Sequence, residues 1–280
     1  MYDGGELTSA NDQLWSVIAE RLRAYGVRGV PPALDRDRAL DDLWSSGRLL
    51  LGQICGYPFA ARFRDRLRVL AAPQYAAPGC AGATHRSYLV VHARSGARDL
   101  SALRGARAVI NDDESMTGRH LLGDAVHDCS DARPFFDRVV VSGSHARSLA
   151  MVADGAADVA AVDCVSYTHL ARTAPEIADR TRVLHRTVAT PTLPLVISQE
   201  CGESTALLVA RAVADAFDDP RTKEPRHRLR LVRIVPVDAD VYLPTGAIAA
   251  RADHVFGSQA QRAPGASPFR SSRVEGGAKR

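Results

Sequence analysis

Two stretches place small hydroxyl side chains and glycine where a strand would hand over to a helix: Asn111-Asp112-Asp113-Glu114-Ser115-Met116-Thr117-Gly118 and Ser142-Gly143-Ser144-His145. A helix N-terminus leaves unpaired N–H groups and carries a partial positive charge. Hydroxyls beside it form a neutral cradle for a phosphate, phosphonate or carboxylate. Glycine lets the backbone approach such an anion closely. Ser115, Thr117 and Gly118 are the candidates at the first junction, and Ser144 and His145 at the second. Ordinary capping accounts for the same residue types, because Ser, Thr and Asp are favoured N-caps of any helix. The repetition in consecutive strand–helix units sets the ligand reading beside the capping one. A helix dipole lowers the pKa of a histidine at its start, which would leave His145 a neutral hydrogen-bond donor.

The acidic Asp112, Asp113 and Glu114 would repel an anion and are read as caps. Asp163, at the end of a third strand, can accept an amine or hydroxyl of a ligand, or cap the helix that follows. Tyr57, Tyr88 and Tyr167 each flank a strand-like segment, where rim packing with a wet hydroxyl competes with ligand contact. No Gly-x-Ser-x-Gly elbow, P-loop lysine or dinucleotide glycine fingerprint occurs in strand–helix context, so no catalytic residue and no cofactor is assigned. Cys55, Cys80, Cys129, Cys164 and Cys201 lack CxxC or Cys/His spacing, so no metal is expected.

These residues must be positioned by alternating strands and helices. Asn11 to Tyr25 carries Leu14, Trp15, Ile18, Leu22 and Tyr25 at helical spacing, with Ser9 or Asn11 available as cap. Leu40 to Trp44 is a short helix, and Leu49 to Ile54 a buried strand that ends at Cys55-Gly56-Tyr57-Pro58. Arg68 to Ala72 and Tyr88 to His92 are further strands. Then come the units Ala108–Ile110 with helix Arg119–Val126, Val139–Val141 with helix Ala146–Ala153, and Asp158–Val162 with a helix reaching Arg172. Strands alternating with helices over short turns imply a largely parallel sheet, with ligands at the strand C-termini. Val183 to Val188 and Leu195 to Ser198 are strand-like, and Glu203 to Phe217 is helical.

The 280 residues carry 36 Lys and Arg against 32 Asp and Glu, interspersed along the chain, so no basic face for nucleic acid is expected. No apolar run reaches the length of a membrane span. The start, Met1-Tyr2-Asp3-Gly4-Gly5-Glu6, lacks the basic and apolar regions of a secretory signal, so the chain as written is expected in the cytoplasm. A start site placed further upstream would shift that expectation to the periplasm.

Several segments, in order along residues 2 to 200, resemble the substrate-binding proteins of phosphonate, phosphite and phosphate ABC transporters, within the type 2 periplasmic binding protein superfamily. They are Gly52-Gln53-Ile54-Cys55-Gly56-Tyr57-Pro58, Asp99-Leu100 to Gly105, Val109 to Gly118, Val141-Ser142-Gly143-Ser144-His145 with Ser148, and Gly155 to Asp163. The resemblance implies an α/β fold of two lobes joined by two crossings, with hinge closure on a ligand in the cleft. The crossings are expected near Ser87 to Ala93 and Thr187 to Leu195. Residues 1–90 plus 190–258 would form one lobe, 91–189 the other, and 259–280 a disordered tail. Carried over, Ser115, Thr117 and Gly118 would hold the anion with Ser144 and His145, while Tyr57, Tyr88 and Asp163 read the rest of the ligand. The implied function is capture of a small anion by a monomer for an ABC permease. Export would permit a Cys55–Cys80 disulfide. The alternatives are a cytoplasmic enzyme on the same fold, similar to chorismate dehydratase or thiamin-pyrimidine synthase, and a ligand-sensing domain of a regulator.

Overall fold

A computed structural model describes residues 2–130, 134–256 and 260–262. Among them are twelve strands: β1 Gly52–Gln53, β2 Leu67–Tyr75, β3 Thr84–His85, β4 Ser87–His92, β5 Arg107–Ile110, β6 Arg138–Val141, β7 Val159–Asp163, β8 Thr181–Arg186, β9 Thr190–Pro191, β10 Leu195–Ser198, β11 Leu231–Val235 and β12 Ala260–Arg262. They form two main sheets, one per lobe, in the orders β1-β10-β2-β11 and β12-β6-β5-β7-β4-β8. The expected parallel arrangement describes only part of this. In the second sheet β12, β6, β5 and β7 run parallel, while β4 is antiparallel to both of its neighbours. In the first sheet every pairing is antiparallel.

The second sheet is apolar on both faces, as a sheet with helices on each side must be. Alternation along its strands sends Leu89, Val91, Ala108, Ile110 and Ala161 to one face, packed with Leu122 and Val126 of the helix Leu121–Val126 and Ala252 and Val255 of the helix Thr245–Phe256. Val90, Val109, Ala160 and Val162 go to the other, against Leu149 and Val152 of the helix His145–Ala153 and Val165 of the helix Cys164–Thr173. The first sheet packs the helices Glu6–Ala24 and Glu203–Asp218 on one face. Its other face carries an aromatic cluster of Trp44, Phe59, Phe63 and Tyr242.

The helix Glu6–Ala24 begins earlier than the apolar spacing suggests. Its N-cap is Gly5, at φ 55°, a left-handed conformation that glycine adopts without strain. Asn11, an expected cap, lies inside the helix and donates its amide to the Tyr2 carbonyl at 2.8 Å and to Asp3 Oδ1 at 3.1 Å. That anchors the N-terminal segment over the cleft. Only Gly52 and Gln53 of the run Leu49–Ile54 pair as a strand, because the chain turns at Cys55 into the short helix Gly56–Pro58, where the Phe59 N–H donates to the Cys55 carbonyl. The helix expected from Arg119 starts at Met116 with one π turn, Met116–His120.

The crossings form the third sheet. Thr84–His85 pairs with Thr190–Pro191 in an antiparallel ribbon, linking β2 to β4 and β8 to β10. The first crossing therefore precedes the expected Ser87 to Ala93, and β4 already belongs to the second sheet. Two further boundaries differ. Ala252, Val255 and Phe256 pack in the core of the second sheet rather than with the residues of the 190–258 grouping. Ala260–Arg262, within the expected tail, pairs in parallel with Val139–Val141; residues 263–280 lie outside the described residues. No helix among the described residues is long and apolar enough to cross a membrane.

Candidate functional site

The spatial order β6-β5-β7 places the C-terminal ends of three parallel strands side by side. Each strand delivers the chain into a helix whose N-terminus faces the same edge, where ligands bind in open α/β sheets. The caps at these three ends differ in charge. Ser115 accepts from the Gly118 N–H at 3.0 Å and Ser144 from the Arg147 N–H at 3.2 Å, both through neutral hydroxyls. Asp163 caps the third with a carboxylate: Oδ1 accepts from the Val165 and Ser166 N–H groups, each at 2.9 Å. The carboxylate offsets the positive end of the third helix, and the two hydroxyl-capped ends keep theirs.

The first two junctions touch. Thr117 Oγ1 lies 3.0 Å from His145 Nε2, so the sequence candidates Ser115, Thr117, Gly118, Ser144 and His145 form one continuous surface. The Ser142 N–H donates to Ile110 and the Gly143 N–H to Asn111, which locks the second turn beside the first. Gly143 has φ 93° at the turn. Ser87 donates its hydroxyl to the Thr117 carbonyl at 2.8 Å and thereby ties the first turn to β4. Gly118 is required by space: a Cβ there would sit 1.6 Å from Asn111 Oδ1.

His145 is half-buried, and desolvation of its ring lowers its pKa, while the Asp163 carboxylate pulls in the other direction. The direction is the one expected from the helix start, but its cause is burial. His120, on the first turn, is buried, and burial with the neighbouring Arg119 brings its pKa down to about 4. Its Nε2 has no partner among the described residues. Buried polar atoms without partners are uncommon, and His120 Nε2, beside the hydroxyl cradle, is one of them.

The acidic run does not oppose this. Asp112 accepts from the Glu114 N–H at 2.8 Å in a local turn, and Glu114 pairs with the Arg62 guanidinium of the first lobe. The helix cap expected of these acids is supplied by Ser115.

Tyr57 and Asp163 reach the cleft in different ways, and Tyr88 does not reach it. The Tyr57 ring lies 4.2 Å from the His120 ring, centroid to centroid, so it reaches the cradle turn across the lobes. Tyr88 is directed away: its hydroxyl donates to the Pro78 carbonyl at 2.6 Å, and its ring packs between Tyr167 and the Arg186 guanidinium. Asp163 is buried with every acceptor site engaged. Besides the two backbone N–H groups on Oδ1, its Oδ2 lies 2.7 Å from His85 Nδ1 and accepts from the Tyr2 hydroxyl at 3.1 Å. Burial would raise its pKa, but His85, then His145 and the Ser166 N–H, hold it below the usual carboxylate range. Burial opposes charge on His85, yet Asp163 outweighs it and holds the His85 pKa above its ordinary value. Sequence reasoning missed Tyr2, His85, Asn111 and His120. For Tyr2 and His85 no local signal exists: they join Asp163 from 161 residues away and from the crossing ribbon.

The profile for ABC transporter phosphonate periplasmic substrate-binding proteins matches residues 6–242. The chain belongs to this family. Membership sets aside the enzyme alternatives, since the family binds substrate for transport. A search of curated proteins finds no match. Among solved structures, PhnD1 from Prochlorococcus marinus in complex with methylphosphonate is similar with a TM-score of 0.70 at 15% identity, covering 88% of this chain and 94% of that one. XAC2383 from Xanthomonas citri, bound to ATP, is similar at 0.68 and 17% identity, covering 90% and 96%. A binding-protein component of an ABC phosphonate transporter from Pseudomonas aeruginosa follows at 0.66 and 18% identity, covering 86% and 82%. These likenesses show the two-lobed fold. Among the described residues no group of three or more His, Cys, Asp or Glu is placed to hold a metal.

Proposed function

We propose that the cleft captures a small oxyanion, a phosphonate, phosphite or phosphate ester, and presents it to an ABC permease outside the cytoplasm, with the chain acting as a monomer. The observation that carries this reading is the contact between Thr117 and His145, which joins two hydroxyl-capped helix ends into one neutral, donor-rich surface. Such a surface holds an anion through backbone dipoles and hydroxyls and needs no lysine or arginine. Ser115, Thr117, Gly118, Ser144 and His145 take the oxyanion, and Tyr57, whose ring lies against His120 of the cradle turn, closes over it from the opposite lobe.

The saturated state of Asp163 refines the ligand class. A carboxylate already accepting from Val165, Ser166 and Tyr2, with His85 paired to it at 2.7 Å, has nothing left for a ligand ammonium group. The cleft therefore suits compact, amine-free anions. Isothermal titration with phosphate, phosphite, methylphosphonate and 2-aminoethylphosphonate tests both levels. Binding of one or more amine-free anions, at least tenfold tighter than the aminophosphonate, is expected. Heat from none of the four refutes the oxyanion reading, and preference for the aminophosphonate refutes the refinement alone.

A further inference from the structure

Behind Asp163, the thiols of Cys80 and Cys164 lie 3.6 Å apart, Sγ to Sγ, and join positions 84 residues apart in sequence. Cys80 is half-buried in the connection from β2 to the β3 crossing, and Cys164 is buried as the first residue of the helix Cys164–Thr173. The backbone on both sides is fastened. The Cys80 N–H donates to the Ala77 carbonyl and the Cys164 N–H to the Arg86 carbonyl, each at 3.0 Å. The Tyr88 hydroxyl holds the carbonyl of Pro78. Between them Gly79, at φ 95°, comes so near that a Cβ would meet Cys164 Cβ at 3.0 Å and the Tyr88 oxygen at 2.7 Å. Glycine at 79 is what lets the connection bring Cys80 to its partner.

The other cysteines are placed differently. Cys201 directs its thiol to the carbonyls of Gly47 and Leu49, and burial pushes the buried Cys55 thiol up to about 12. The family resemblance would permit a Cys55–Cys80 pairing on export; the thiol that lies against Cys80 is that of Cys164. The hydrogen bond from Cys164 also draws the Cys80 thiol below its ordinary range, which favours the attacking thiolate on the more exposed of the two.

We propose that Cys80 and Cys164 are a disulfide-forming pair that ties the β2–β3 connection to the helix carrying the site carboxylate. The reaction uses a small disulfide such as oxidised glutathione. The Cys80 thiolate attacks it, and one glutathione thiolate leaves. The Cys164 sulfur then attacks Cys80 Sγ of the mixed disulfide and releases the second glutathione. Two S–H bonds are replaced by one S–S bond, and the two protons and two electrons end on two molecules of glutathione. The sulfurs must close from 3.6 Å to about 2.05 Å, by side-chain rotation on a backbone that is fastened on both sides.

The test uses the full chain, reduced and then exposed to oxidised glutathione, alkylated under denaturing conditions and examined by intact mass and peptide mapping. Three alkylated cysteines and a cross-linked peptide containing Cys80 and Cys164 are expected. Five alkylated cysteines, or a link between any other two, overturns the proposal. Cys80→Ser and Cys164→Ser are each expected to form no intramolecular disulfide under the same treatment, and a disulfide persisting in either variant overturns it as well.

Discussion

Replacing Asp163 by Asn distinguishes a carboxylate that braces the cleft from one that reads the ligand. The side chain is 1% exposed and forms a buried pair with His85, itself 2% exposed. Removing one charge from a buried, hydrogen-bonded pair costs about 3–5 kcal/mol. Asn retains an oxygen for the Val165 and Ser166 N–H groups, so the lower end of that range applies, about 3 kcal/mol. For a chain of this size that lowers Tm by roughly 6–12 °C. The loss depends on pH in a direction that the two shifts fix. Asp163 has a depressed folded pKa, so its contribution is present above the unfolded value near 3.8 and is lost as pH falls through the folded value. His85 has a raised folded pKa, so its contribution is full below the unfolded value near 6.5 and is lost as pH rises through the folded value. The gap in Tm between wild type and Asp163→Asn is therefore widest between about pH 4 and 6.5 and narrows on either side. Thermal denaturation across pH 3 to 9, with titration of methylphosphonate and 2-aminoethylphosphonate at pH 7, measures both aspects. A gap independent of pH, or a loss of affinity confined to the amine-bearing ligand, refutes the bracing role.

Three other substitutions probe the cradle. Thr117→Ala and His145→Ala each remove one partner from the 3.0 Å contact between the junctions, and weaken oxyanion binding by about 1–3 kcal/mol, or roughly 5- to 150-fold, with the fold intact by circular dichroism. Unchanged affinity in both shows that the junctions are only helix caps. Gly118→Ala drives a methyl group into Asn111 and costs about 1–3 kcal/mol of stability by chemical denaturation, with loss of binding; wild-type stability would contradict the close packing. Arg62→Ala breaks the exposed bridge from Asp41 and Glu114 across the lobes and shortens ligand residence by no more than about threefold in stopped flow, because exposed ion pairs contribute little. A tenfold or larger effect makes that bridge a principal clasp.

Where local physics suffices, the sequence is legible to the residue. The helix Leu40–Trp44 and the strand Leu195–Ser198 fall where apolar spacing and turn residues place them. The three strand–helix units also stand where predicted, because parallel strands covered on both faces must be apolar throughout. Val188 shows the limit. It continues an apolar run in sequence, but β8 ends at Arg186 and Val188 is 54% exposed where the chain leaves the sheet for the crossing. Tyr88 shows another limit, since position beside a strand end does not reveal which face a ring takes. The Pro78 carbonyl that captures its hydroxyl is reached only through the fold of the loop from Pro73 to Gly82. The partners of Asp163 were illegible for the same reason: a carboxylate's acceptors are filled by groups from distant segments, and periodicity carries no information about them.

Asp163 also explains how a hinge and a binding site become one mechanical unit. Its own backbone ends β7 in the second lobe, Tyr2 comes from the N-terminal segment anchored on the first, and His85 comes from the ribbon that joins the two. Opening the cleft while the first-lobe segment stays on its helix must stretch the bond from Tyr2 to Asp163 and separate Tyr57 from His120. Closure restores both in an interior where unpaired polar groups are costly. Neutral donors in the proposed cradle suit this arrangement: an anion held there by dipoles would be held most strongly with water excluded, and the same groups would be resolvated when the lobes part. A lysine or arginine in the cradle would keep much of its attraction in the open state, whereas under the proposed function Thr117 and His145 would tie affinity to closure.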